Sequence, residues 1–211
     1  MNKMGYDGNL IIVSGPSGAG KSALTTHALK VLSNIRFSVS YTTRPPRGAE
    51  RHGVEYFFVD RPKFELLRAE GEFLEWAAVH DNHYGTSQNF IDDLLRQGCD
   101  VILDIDVQGA RTIKQKRPEA IAIFVMPPSF DILRERLRRR GLDDESVIEK
   151  RLRMARDEIS CYQDYDYLIV NDDLKNAERE LEAIIVGVRC RLAAREKAVA
   201  SILKHFGGLN A

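Results

Sequence analysis

The run Gly15-Pro16-Ser17-Gly18-Ala19-Gly20-Lys21-Ser22 carries the most specific chemistry in the sequence, because it matches G-x-x-x-x-G-K-[ST]. An apolar run, Leu10 to Val13, precedes it and a helical pattern follows, which is the context that this motif requires. Glycines let backbone N–H groups converge on phosphate oxygens, and the helix that follows aims its positive end at them. Lys21 adds a point charge for the outer phosphates and the Ser22 hydroxyl is a magnesium ligand. Together these parts predict a site for a nucleoside triphosphate with Mg²⁺.

Other residues offer complementary chemistry. Asp104 and Asp106 close the apolar run Val101 to Ile105, and strand alternation puts both on one face. Beside a phosphate loop, Asp104 suits orienting magnesium, where an isolated aspartate would be read as a loop cap. Arg44 and Arg47 stand three apart in a proline-stiffened turn, a spacing that suits a two-pronged guanidinium clamp on a monophosphate, with Tyr56 and Tyr84 supplying hydroxyls. Taken without other signals, Arg44, Arg47 and Arg51 read as solvated loop charges, and for Glu75 an exposed strand carboxylate beside Trp76 stands even with a binding role. His80 and His83 flank Asp81 but have no cysteine near them, so polar surface is preferred to a metal site.

The segment from Thr42 to Phe58 (TTRPPRGAERHGVEYFF) resembles the signature of guanylate kinases. The resemblance extends to the phosphate loop, Leu74-Glu75-Trp76, Tyr84-Gly85-Thr86, Leu103-Asp104-Ile105-Asp106, Arg136 to Gly141 and Val170-Asn171-Asp172-Asp173, and it spans roughly residues 8–190. It implies transfer of the γ-phosphoryl group of ATP to GMP in purine nucleotide metabolism, with Mg²⁺. It also makes Arg44, Arg47, Tyr56 and Tyr84 the contacts to the GMP phosphate, and sets Ser40, Glu75, Thr86 and Asp106 around the base. Guanine presents two adjacent donors that one carboxylate accepts together, and Glu75 fits that need. Thr86 stands where the family often has serine, keeping the hydroxyl. Arg136, Arg140 and Arg151 become lid residues that act with Lys21 and Arg44 on the transferring group, and Asn171 falls nearer the adenine.

These residues need elements to hold them. Leu10 to Val13, Val101 to Leu103, Ile121 to Met126 and Tyr167 to Val170 read as buried strands, alternating with helices over Ser22 to Leu32, Thr86 to Gln97 and Asp144 to Cys161. This predicts an α/β fold: a P-loop NTPase-type parallel sheet core flanked by helices, over 1–37, 88–128 and 165–211. An inserted β-rich acceptor-binding subdomain is expected over 38–87, with a helix capped by Asp60. The arginine-dense stretch 129–164 is expected to be a helical lid, and the whole chain, 1–211, one domain. A single long helix is expected from Leu174 to Phe206. Its apolar stripe of Leu192, Val199, Leu203 and Phe206 is read as core packing, with a homodimer or higher homo-oligomer as the alternative.

Composition narrows the class. Lys plus Arg and Asp plus Glu are each 31, so no global field draws the chain to nucleic acid or an anionic membrane. Cys99, Cys161 and Cys190 are odd in number and widely spaced, which suits a reducing, cytoplasmic setting. No run is read as spanning a membrane. Two rivals come from other classes: a GTPase-like switch, since Asp106-Val107-Gln108-Gly109 matches D-x-x-G, and a non-catalytic guanylate-kinase-like binding module. The first lacks an Asn-Lys-x-Asp segment, and the second is at odds with an intact phosphate loop.

Overall fold

The computed structural model describes residues 7–79, 81–139 and 144–206, apart from the side chains of Val79 and Lys197. The chain enters as β1 (Leu10–Ser14), turns through the glycine loop into α1 (Lys21–Val31) and returns as β2 (Ile35–Phe37). Then come β3 (Ser40–Thr42), β4 (Tyr56–Phe58), α2 (Arg61–Ala69), β5 (Phe73–Val79) and β6 (Asn82–Ser87). The helix α3 (Gln88–Arg96), β7 (Asp100–Asp104), α4 (Val107–Lys116) and β8 (Ile121–Met126) follow. Two arginine-rich helices, α5 (Phe130–Arg139) and α6 (Glu145–Ser160), precede β9 (Tyr167–Val170), α7 (Leu174–Arg189) and α8 (Leu192–His205).

Continuous apolar runs become strands covered on both faces. β2, β7, β1, β8 and β9 lie in that order in one parallel sheet, with Ile12 opposite Leu103 on one side and Ala122 on the other. Ile11 and Val13 pack with Leu24, Ala28, Leu181 and Ile185 of α1 and α7, while Leu10 and Ile12 pack with Ile91, Ala110 and Ile113 of α3 and α4. Ile11, Ile12 and Val13 are fully buried, each worth about 1.5–3 kcal/mol of transfer free energy. The carboxyl ends of β1, β7 and β9 fall on one edge, where open α/β sheets bind ligands, and they carry the glycine loop, Asp104 and Asn171.

A second sheet has the order β4-β3-β6-β5, antiparallel except for β3 and β4. α2 covers it by packing Phe64 and Leu67 on Phe73. Its start is as expected, with the Asp60 carboxylate accepting the Lys63 N–H at 2.8 Å and a proline in the first turn. α5 and α6 share a small core of their own, Leu133, Leu137, Ile148, Leu152 and Ala155.

Several expectations are corrected. The third helix begins at Gln88, capped by Ser87, because Thr86 is the penultimate residue of β6. Asp106 lies beyond the end of β7 and caps α4 through a 2.8 Å bond from the Gly109 N–H, so alternation no longer governs it. The last helix is broken: Arg191 adopts extended backbone (φ −60°, ψ 144°) between α7 and α8. The apolar stripe does not pack on the core as expected, since Leu192 and Phe206 are 75% and 80% exposed. His83 is buried among Phe64 and Trp76 rather than at the surface, and His80 lies outside the described residues. Among the described residues no helix is long and apolar enough to cross a membrane.

Candidate active site

The residues expected on the donor side lie where β1 runs into α1. Gly15 and Gly20 have φ of +134° and +102°, and a Cβ on either would sit 2.2 Å from Val125 O or Asn171 Nδ2. Only glycine lets the loop fold this tightly. Asn171 braces it from just beyond β9: its Nδ2 donates to Ala19 O at 2.7 Å, and its backbone O accepts Arg136 Nη2 at 2.8 Å. Pro16, Gly18 and Ala19 are buried while Ser17 is exposed at the tip. Lys21 Nζ donates to Gly15 O at 2.6 Å and Pro16 O at 3.2 Å, so the ammonium is folded over the loop it serves.

Ser22 Oγ donates to Asp104 Oδ2 at 3.0 Å. This pairs the two residues expected at the metal, and an oxygen-only donor set suits Mg²⁺, which keeps water and substrate phosphate as most of its ligands. Burial pushes the Asp104 carboxyl above its usual range, opposed by the Lys21 charge and the Ser22 hydrogen bond. A cavity of about 270 Å³ opens beside the loop, lined by Gly18, Gly20, Ala23, Arg136, Arg139, Asn171 and Leu174. Asn171 Oδ1 and Arg136 Nη1, both buried, have no hydrogen-bond partner among the described residues.

The residues expected to hold the acceptor lie on and beside the second sheet. Arg44 is 6% exposed, its guanidinium 5.4 Å from the Tyr56 ring centroid and beside the Tyr84 hydroxyl. Its Nη1 donates to Pro45 O at 2.8 Å and its Nη2 to Glu50 Oε1 at 2.9 Å, while Glu50 Oε2 accepts the Arg47 N–H at 2.8 Å. The Arg47 residue is exposed at the rim. Deeper in, Thr86 Oγ1 donates to Glu75 Oε1 at 2.5 Å across the β5–β6 ladder. A Cβ placed on Gly109 would lie 3.4 Å from Asp106 Oδ1 and 3.6 Å from Glu75 Oε2, so both carboxylates converge on the first turn of α4. Burial raises the Glu75 carboxyl above its ordinary value; the Thr86 bond opposes this and the Asp106 charge adds to it.

The two sides meet. Ser40 and Tyr56 of the second sheet border a small cavity, about 110 Å³, together with Asp104 and Ile105 of the core. A larger cavity of about 590 Å³ opens at the other end of β1, between Asn9, Arg117 and Arg191, and neither the glycine loop nor Asp104 or Glu75 lines it. From α6, Glu158 reaches both sides electrostatically, feeling Lys21 as attraction and Asp106 as repulsion, and burial raises its carboxyl. Arg151 lies half-buried in the same helix. Arg140 lies outside the described residues.

A model of the guanylate kinase family matches residues 7–187. The chain belongs to the guanylate kinase family. A guanylate kinase of Alkalilimnicola ehrlichii is 47% identical over 201 residues, covering 95% of this chain and 99% of its own length. One of Carboxydothermus hydrogenoformans is 47% identical over 186 residues, covering 88% and 91%. A crystal structure of guanylate kinase from Anaplasma phagocytophilum superposes with a TM-score of 0.72 at 32% identity, over 98% of both chains.

Within this guanylate kinase family chain, sequence reasoning missed Glu50 and Glu158. Glu50 follows Arg44 and Arg47 in the same turn, and that proximity was its only signal. Glu158 had none, since an acidic residue on an exposed-looking helix is indistinguishable from a solvated charge.

Proposed function

We propose that the chain transfers the γ-phosphoryl group of ATP to GMP, giving ADP and GDP, as a nucleoside monophosphate kinase of purine nucleotide metabolism in the cytoplasm. The observation that carries this reading is the turn between β7 and α4. Two residues apart, Asp104 accepts from Ser22 of the phosphate loop and Asp106 joins Glu75 on the acceptor side. This corner supports the reading by linking the proposed triphosphate cradle to the proposed base-reading carboxylate pair.

The division of labour follows. Backbone N–H groups of Gly15 to Ser22 and the Lys21 ammonium hold the triphosphate, with Asn171 bracing the loop. Arg44 and Arg47, helped by Tyr56 and Tyr84, hold the acceptor phosphate, and Ser40, Glu75, Thr86 and Asp106 surround its base. A base lacking the paired donors leaves buried carboxylate unsatisfied, which can cost roughly 10⁴-fold in selectivity. Ser22, and Asp104 through water, would hold Mg²⁺, which when bound would supply charge neutralisation at the phosphate oxygens. The attacking oxygen belongs to an ionised phosphate, so the chain needs no general base and works by positioning and charge neutralisation. Arg136 and Arg151, with Arg140 as a further proposed member, supply positive charge from the helical cap over 129–164, whose closure excludes water.

The GTPase reading loses its one support, because the D-x-x-G match is a helix cap formed by Asp106 and Gly109. ADP release with ATP and magnesium, measured against GMP, dGMP, AMP, CMP, UMP and ribose phosphates, tests the proposal. Turnover should require a guanine monophosphate; equal release with AMP, or with no acceptor, would overturn it.

A further inference from the structure

β5 carries an irregularity at the point where it matters most. Phe73 pairs with Ser87 and Glu75 with Thr86, so two residues of β5 advance against one of β6 and Leu74 is the extra one. Such bulges re-aim a side chain and disturb the local ladder. Leu74 is fully buried in the core with Ile12, Ile91 and Leu103, while its neighbour Glu75 is turned to Thr86 and Asp106. The backbone here needs an outside partner, and α4 supplies one. Lys116, the last residue of that helix, donates from Nζ to Leu74 O at 2.6 Å and to Phe73 O at 3.3 Å.

We propose that Lys116 is a positioning residue for guanine recognition, whose ammonium caps the β5 bulge and so fixes where the Glu75 carboxylate meets the base. This rests on the reading of Glu75 as the guanine acceptor. α4 then grips the base reader at both ends: Asp106 at its N-terminus lies beside Glu75 Oε2, and Lys116 at its C-terminus holds the peptide just before Glu75. The site at the helix end suits a cation, since the C-terminal carbonyls favour positive charge. Electrostatics acts in the same direction. Among the groups facing Glu75, burial and Asp106 oppose its ionised form, while Lys116 and the Thr86 hydroxyl favour it.

The test compares Lys116→Met, Lys116→Arg and Glu75→Gln, using GMP and inosine monophosphate, which keeps N1–H but lacks the exocyclic amine. For Lys116→Met the KM for GMP should rise about tenfold, while kcat and the KM for ATP stay within about twofold. Its preference for GMP over inosine monophosphate should narrow, and the acid limb of the kcat/KM profile for GMP should move to higher pH. Lys116→Arg should recover most of each effect. An unchanged GMP KM and base preference in Lys116→Met overturns the proposal. So does an equal loss for ATP and GMP, which marks a merely structural staple. Should Lys116→Met fail to fold, Lys116→Gln, which keeps donors without charge, is read by the same criteria. A Glu75→Gln enzyme with intact preference for GMP would instead remove the base-reading role of Glu75 itself.

Discussion

Glu75 is placed where its charge is costly. Burial raises its carboxyl above the ordinary 4.5, with Asp106 adding to the effect, and burial does the same to Asp104. For a group whose folded pKa is raised, the associated stability is fully present below the unfolded value and is lost as pH rises through the folded one. At neutral pH Glu75 is therefore destabilising in the ligand-free enzyme, and on the proposed reading a base with two donors would relieve it. Glu75→Gln should raise the melting temperature of the ligand-free chain at neutral pH, with the gain fading as the pH falls below the ordinary carboxylate range. Each kcal/mol removed corresponds to about 2–4 °C for a chain of this size. Calorimetry across pH checks it, and a gain that persists in acid would show a different cause. At Arg44, loss of a charged clamp buried beside Tyr56 and Tyr84 should raise the KM for GMP by about 10–100-fold with little change for ATP. Initial-rate kinetics of Arg44→Ala with each substrate varied will show it, and equal effects on both would move Arg44 out of the acceptor site. The phosphate loop and the Arg44 and Arg47 pair were legible as candidates through local spacing, whereas Ser40, Thr86, Arg136, Arg151 and Asn171 rested on the family resemblance. Glu50 was not legible, because its role is defined by which Arg44 nitrogen it holds.

At the scale of elements, the strands with continuous apolar sequence were legible. β8 and β9 fall where Ile121 to Met126 and Tyr167 to Val170 predict them, since burial on both faces leaves an unmistakable pattern. β6 was not, because Asn82 to Ser87 is polar and glycine-containing and is a strand only by pairing with β3 and β5. That tertiary override also places Thr86 across from Glu75. The break at Arg191 has no glycine or proline to announce it. The loop between β1 and α1 depends on an element distant in sequence, through the Asn171 bond to Ala19 O. Gly20→Ala should therefore harm ATP use before it harms the fold. Its strained φ costs about 1–2 kcal/mol, and its methyl would strike Asn171 Nδ2, 2.2 Å away. A KM for ATP raised at least about tenfold, with a cooperative melt retained, is the expected result. An unaltered KM for ATP would mean that the brace does not shape the loop.

For the whole molecule, a five-stranded parallel sheet presents its carboxyl edge to a second sheet, and the β7–α4 turn joins them. Asp104 faces the phosphate loop and Asp106 lies beside Glu75, so on the proposed reading one chain would hold donor and acceptor anions a short distance apart. Neither sheet holds both. Adenosine and guanosine joined through a pentaphosphate would span the two cradles at once, and titration calorimetry of that compound is the most direct test. The account predicts one molecule per chain, bound about 10²-fold or more tighter than ATP or GMP alone, with the advantage lost in Arg44→Ala. Affinity no better than that of ATP, or binding indifferent to Arg44, would contradict it.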